Sequence, residues 1–223
     1  MKIKYLFPLF FIIGLAAFIR FYNLGGLPVS PNWDEVSHGV NAYSLLQTGK
    51  DEWGISFPLI FRAFGDYKLP LYIYLTVLPV WIFGLNVFAI RFISALAGTL
   101  AIPGIFLLAK QLFPNKKHLS LIAALLLAIS PWHFFISRPA LEANLALTLI
   151  IFGFYFLLRF FRGTSTLLPA VIFLGLSLHT YNTARVFVPL MVLAAFIIFR
   201  SFLSSSRMRA DGPRRGRSIP NLF

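Results

Sequence analysis

Long apolar runs broken by short, mostly basic interruptions dominate this chain, and they leave it one solvent to fold in. The runs are 6–21, preceded by Lys2 and Lys4, then 87–113, 119–136, 140–158, 167–178 and 186–199. They break at Pro114-Asn115, Arg138-Pro139, Arg162-Gly163 and Tyr181-Asn182, residue types that interrupt helices. A helix needs about 20 apolar residues to cross a bilayer, and a backbone in hydrocarbon must satisfy its own hydrogen bonds. With 58% hydrophobic and 12% charged residues and a mean hydropathy of +0.80, the chain lacks the polar surface of a soluble globule. The expectation is an all-α polytopic membrane protein of about six spans, the first an uncleaved helix rather than a signal peptide. At 223 residues there is room for those spans and one sizeable loop, which excludes a soluble multidomain enzyme.

Segment 69–85 is also apolar, but Pro70, Pro79 and the aromatics near its start suit an interfacial helix. Charge decides between the two readings. If 69–85 does not cross, one face receives Lys2, Lys4, Lys110, Lys116, Lys117, Arg159, Arg162, Arg200 and the five later arginines, thirteen of the twenty bases. That face is then cytoplasmic, because loop lysines and arginines favour the inside. The other face holds Asp34, Glu35, Asp51, Glu52, Asp66 and Glu142, six of the seven acids. A crossing at 69–85 would put Lys116, Lys117, Arg159 and Arg162 outside, so the chain is read as N-terminus in. Outer loops then span 22–86, 137–144 and 179–185. A transmembrane module at 1–203 is followed by a basic, Ser/Gly/Pro-containing tail at 204–223 with no apolar periodicity, expected to be disordered. The net charge of +13 thus reflects membrane orientation, and no nucleic acid partner is expected. The absence of cysteine excludes disulfides and thiolate chemistry.

Polar chemistry collects on the outer face. Asn32-Trp33-Asp34-Glu35 has the pattern of a capping box, with Asn32 as N-cap, Glu35 three residues on, and Gly49 as the stop. Helical spacing places Asp34, His38 and Asn41 on one face and Val36, Val40 and Tyr43 on the other. A solvated face with dipole-stabilised acids is the plain reading of that stripe, and a catalytic carboxylate is the sharper one. Lys68 stands at the mouth of the aromatic segment Phe64-Gly65-Asp66-Tyr67-Lys68-Leu69-Pro70-Leu71-Tyr72. It can snorkel or hold a lipid phosphate as a point charge. Arg138 and Glu142 offer either a helix-start ion pair or a membrane-edge site. Arg91 and Arg185 lie at outer ends of runs, against the positive-inside bias, and so call for an anionic partner. The four histidines, His38, His118, His133 and His179, show no zinc-ligand spacing. No P-loop or dinucleotide fingerprint is present.

In this order the residues resemble the polyprenol-phosphate-sugar-dependent glycosyltransferases of the GT-C superfamily. The nearest likeness is to the family 39 group, which includes protein O-mannosyltransferases and lipid A aminoarabinose transferases. The resemblance is carried by Trp33-Asp34-Glu35, the 65–72 segment, Phe83-Gly84-Leu85 with Arg91, Ser130-Pro131-Trp132 with Ser137-Arg138 and Glu142, and His179-Thr180-Tyr181 with Arg185 and Pro189. It implies a GT-C-like helix bundle with interfacial helices in the first outer loop. The implied donor is a polyprenyl-phosphate-linked sugar, and the implied acceptor a protein, glycolipid or polymer outside a plasma membrane. Asp34 would be the general base. Lys68, helped by Arg91, Arg138 or Arg185, would neutralise the leaving phosphate. Glu35, His38, Asn41, Asp66, Tyr67, Glu142 and Tyr181 would bind or orient substrate. A divalent cation, if used, would sit on Asp34 and Glu142.

The chain departs from the group in reading Lys68-Leu69-Pro70 where Lys-Pro-Pro is common, and in ending after six runs where relatives continue. A truncated, inactive fragment is therefore one alternative reading. A transporter or lipid-binding protein is another.

Overall fold

The computed structural model describes residues 6–210, with side chains to 199 except that of residue 117. Among them the chain is mostly helical. The helices are α1 (Leu6–Phe21), α2 (Trp33–Thr48), α3 (Pro70–Phe83), α4 (Val87–Leu112), α5 (Lys117–Ile129), α6 (Pro131–Ser137), α7 (Glu142–Phe161), α8 (Leu167–Leu178) and α9 (Ala184–Ala210). One short antiparallel hairpin, β1 (Phe61–Ala63) and β2 (Asp66–Lys68), interrupts the first loop.

Each apolar run is helical, and among the described residues the helices differ in length. By length and hydropathy α4 and α7 can cross a membrane, and α5 with α6, bent by 59°, has the form of a broken span or a re-entrant loop. Helices α1, α3 and α8, with 16, 14 and 12 residues, are shorter. At about 1.5 Å of rise per residue, twelve residues reach roughly 18 Å of a core about 30 Å thick. The cause is local: the turn after His179 ends α8, and Gly84 ends α3. Helix α9 is apolar over Ala184–Phe199 and continues to Ala210, into the segment expected as a tail; residues 211–223 lie outside the described residues, as do Lys2 and Lys4.

Helix α4 is the centre. It packs against α1 and α5 on one side through Ala16, Ile102, Phe106, Ala124 and Ala128. On another side it meets α7 and α3 through Tyr72, Ile90, Ala97, Leu145 and Leu149. Helices α8 and α9 complete the bundle against the far half of α7. The outward surface of these helices is rich in exposed Phe, Leu and Ile, as a lipid solvent allows.

The bend between α5 and α6 has a chemical explanation. Pro131 has no N–H to offer the carbonyl of Leu127, and the turn away at Ser130 frees that of Ala128 as well. Fully buried Arg20 supplies the missing donors: Nη1 reaches Ala128 O at 3.3 Å, and Nη2 reaches Leu127 O at 3.4 Å and His133 Nδ1 at 2.7 Å. Arg20→Met should destabilise the bundle by about 1–3 kcal/mol through these orphaned carbonyls. Thermal unfolding in detergent checks this, a midpoint equal to that of the unmodified chain being the contrary result.

Helix α2 follows its sequence signals closely. Asn32 Oδ1 accepts from Glu35 N at 2.9 Å, Glu35 Oε2 accepts from Asn32 N at 3.0 Å, and Gly49 closes the helix at φ +69°. Its orientation is the opposite of a solvated polar face. Glu35, Ser37, His38 and Asn41 are buried against the bundle, while Trp33, Val36, Val40 and Tyr43 are exposed. The polar stripe meets polar groups of other elements, and the apolar stripe is left for lipid. Gly39 permits the approach, since a Cβ there would lie 2.5 Å from Ile90 of α4.

Candidate active site

Three separate pieces of chain converge at one end of the bundle. The first is the start of α2, which carries Asp34. The second is β2, held in place by a two-residue turn at Phe64 and Gly65, both with positive φ as a type I′ hairpin requires. The third is the start of α7, which carries Glu142. Leu71 N donates to His179 O at 3.2 Å, which ties the start of α3 to the end of α8. The α8–α9 connection is thereby laid beside Lys68. A cleft of about 60 Å³ results, lined by Asp66, Tyr67, Lys68, Leu69, Glu142, Thr180, Tyr181 and Asn182.

Lys68 is the focus. Its Nζ lies 2.8 Å from Asp34 Oδ1 and 3.3 Å from Asp66 Oδ2. Partial burial works against the ammonium, but the Asp34 hydrogen bond and the charges of Glu142 and Asp34 outweigh it, so its pKa is raised. Lys68 is thus a cation throughout the physiological range. Asp66, exposed, has its pKa lowered by the Tyr67 N–H and by Lys68. Asp34 itself is partly exposed, its side chain at 27%.

Arg91 and Arg138, expected to reach an anionic ligand, are engaged elsewhere. Arg91 is fully buried, with Nε at 2.7 Å from Glu35 Oε1 and Nη2 at 3.1 Å from Oε2, and with Nη1 donating to the carbonyls of Leu24 and Pro28. Arg138 gathers the carbonyls of Ile19 in the last turn of α1 and of Tyr22 and Leu27 beyond it, at 2.6, 2.7 and 3.0 Å. It makes no pair with Glu142, because Pro139 to Leu141 are not helical and α7 begins only at Glu142. Arg185 stands exposed at the start of α9, with Nε 3.3 Å from Leu178 O.

Glu35 is also structural. Burial favours its neutral form, but the hydrogen bonds from Arg91, Ala140 N and Asn32 N prevail and lower its pKa. Together with His38 it grips one residue of the α6–α7 connection: Ala140 N donates to Glu35 Oε1 at 2.9 Å, and His38 Nδ1 donates to Ala140 O at 3.1 Å. That grip sets Glu142, whose Oε1 lies 3.2 Å from His38 Nε2. Asn41, expected near substrate, instead binds the turn at Glu52, donating to its Oε1 at 2.9 Å and accepting from its N at 3.1 Å. Tyr67 is exposed, and Tyr181 borders the cleft. Thr180 and Asn182 also line it; the sequence marked Asn182 only as a helix break and Thr180 only within the His179-Thr180-Tyr181 motif, with no role given to either.

A divalent cation does not fit these carboxylates. Asp34 is paired with Lys68 and Glu142 with His38, and among the described residues no three His, Asp or Glu groups lie close enough to hold a metal.

Comparison with known proteins adds the family. The family model described as dolichyl-phosphate-mannose-protein mannosyltransferase matches residues 68–209, from Lys68 through most of α9. No curated protein and no solved structure gives a significant match. A match over well over half the chain, on a bundle of apolar helices, makes this integral membrane protein a member of that family and a glycosyltransferase membrane module of the GT-C type.

Proposed function

We propose that the chain moves a hexose or pentose from a polyprenyl-phosphate carrier to an acceptor hydroxyl, with inversion at the anomeric carbon. The observation that carries this reading is the Asp34–Lys68 pair at 2.8 Å beside a polar cleft at the bundle's end. A carboxylate able to take a proton and a cation able to face a phosphate are the two groups such a transfer requires. The hydroxyl oxygen attacks the anomeric carbon as its proton passes to Asp34. The bond from that carbon to the phosphate oxygen breaks with its electron pair on the oxygen, and the added negative charge develops opposite Lys68. The donor phosphate competes with Asp34 for Lys68, so donor binding releases the base for the acceptor. The acceptor is a protein, glycolipid or polymer hydroxyl. The basic bias of the other face supports an extracytoplasmic site in the plasma membrane, with the N-terminus inside.

The test is label transfer from polyprenyl-phosphate hexose and pentose donors in proteoliposomes, with membrane extract as the acceptor source. Transfer is expected, and Lys68→Ala should reduce it about 10–100-fold, the range for losing a charged hydrogen bond. A folded, unmodified chain that transfers no label overturns the reading.

A further inference from the structure

The end of the bundle away from the cleft collects charge that the chain does not balance. Helix α7 begins at Glu142, beside the cleft, and its 20 residues reach about 30 Å, the thickness of a bilayer's hydrocarbon core. Its last turn and the α7–α8 connection therefore stand at the opposite headgroup level. There Arg162 reaches the last turn of α4, where Nη1 donates to Gln111 Oε1 at 3.0 Å and Nη2 donates to Gln111 O. The grip joins two basic connections whose partners are 51 residues apart. Arg159 stands one turn before Arg162, Lys110 adjoins Gln111, and Lys116 N closes the turn after α4 at 3.1 Å from Phe113 O.

Nothing in either connection offsets these four charges. The acids of the described residues are confined to 34–66 and Glu142, and none of the four bases forms an ion pair among the described residues. Their partners are neutral: Gln111 for Arg162, and for Arg159 the Tyr155 hydroxyl at 3.4 Å and ring at 5.8 Å. A base at a helix C-terminus offsets the dipole of its own helix, and loop bases orient a span, but neither effect draws two connections together. Like charges gathered beside a low-dielectric medium call for an anion. Leu167 and Leu168, which open α8 just beyond the cluster, are 43% and 70% exposed. A phospholipid meets both features, with its phosphate on the bases and its acyl chains on the leucines, whereas a free phosphate leaves the leucines bare. We propose that the α4–α5 and α7–α8 connections hold the headgroup phosphate of an anionic phospholipid in the leaflet opposite the cleft, with Arg159 and Arg162 as the principal contacts. The contact is independent of the transfer reaction, since it lies about a bilayer's thickness from the cleft.

The experiment titrates the full chain in detergent with phosphatidylglycerol or with phosphatidylcholine of the same acyl chains, and native mass spectrometry counts the lipid retained. The unmodified chain should hold phosphatidylglycerol at least about tenfold more tightly, since each base near an anionic headgroup adds about fivefold. Arg159→Gln/Arg162→Gln should remove most of that preference. Arg162→Gln also loses the grip on Gln111, so Lys110→Gln/Lys116→Gln is the second variant. Both lysines are exposed, the fold should survive, and the preference should fall about threefold or more. Equal retention of the two lipids by the unmodified chain overturns the inference. So does a preference unchanged in a folded Arg159→Gln/Arg162→Gln; where that variant does not fold, a preference unchanged in Lys110→Gln/Lys116→Gln overturns it. Glycerol 3-phosphate at equal concentration should not displace the lipid, and displacement would make this a site for a soluble anion and overturn the inference. A preference lost in Lys68→Ala but kept in Arg159→Gln/Arg162→Gln would put the lipid at the cleft and overturn it as well.

Discussion

Arg91→Met is expected to lose about 3–5 kcal/mol of stability, the usual effect of removing one partner from a buried ion pair. Against a typical total of about 5–15 kcal/mol, that loss leaves much of the chain unfolded on mild heating. The magnitude follows from what Arg91 holds. Its guanidinium meets both oxygens of Glu35 and three loop carbonyls, those of Leu24, Pro28 and Ser30, and Glu35 in turn anchors Ala140. The substitution strands a carboxylate that is 1% exposed. The double variant Glu35→Leu/Arg91→Met should recover part of the loss, because it removes the stranded charge. Acid titration separates Arg91→Met from the unmodified chain. In the unmodified chain the Glu35 pKa is lowered, so its contribution is present above the ordinary carboxylate range and disappears as the pH falls through the folded value. In Arg91→Met the hydrogen bonds from Ala140 N and Asn32 N still oppose burial, but the hydrogen bond and charge of Arg91 are gone, so the Glu35 pKa rises from its value in the unmodified chain. Thermal midpoints measured across the acid range should therefore fall less steeply with acid in Arg91→Met than in the unmodified chain, and equal slopes would contradict the pairing.

Asp34→Asn should reduce transfer by about 10²–10⁴-fold, the range for removing a general base. The variant keeps the shape of the side chain and its place at the start of α2, so the fold should survive. It also frees Lys68 from its nearest anion, leaving Asp66 as the remaining carboxylate within ion-pair distance. Binding of polyprenyl phosphate should hold or tighten even as turnover collapses. That divergence, measured as kcat against donor affinity, distinguishes a lost base from a lost binding group. Parallel loss of affinity and rate would instead make Asp34 a part of the donor site.

What the sequence made legible was local. The capping box of α2 and its glycine stop lie within a few residues of the groups they satisfy, and the apolar runs marked the helices. Pairings between distant segments were not legible, because nothing in the neighbourhood of Glu35 indicates that its partner is 56 residues away. The arginines illustrate the difficulty. Arg91 and Arg138, at outer helix ends, were candidates for an anionic ligand, but a guanidinium has five donors, and loops that break helices leave carbonyls in want of them. Arg20, Arg91 and Arg138 all answer that need. The ion pair between Arg138 and Glu142, one of the two readings of that segment, assumed a helix already begun at position 138, whereas α7 begins at Glu142. Helix lengths were not legible for a related reason, since hydropathy measures how apolar a run is but not where its backbone turns.

The hairpin that presents Lys68 imposes a rule on how this loop can change. In β2 the side chains of Asp66 and Lys68 meet, while Tyr67 between them is exposed. Alternation along a strand means that gaining or losing a single residue between Ala63 and Lys68 would exchange ammonium for phenol at the cleft. Insertions there are tolerable in pairs, so the length of this turn among related chains should vary by even steps or not at all.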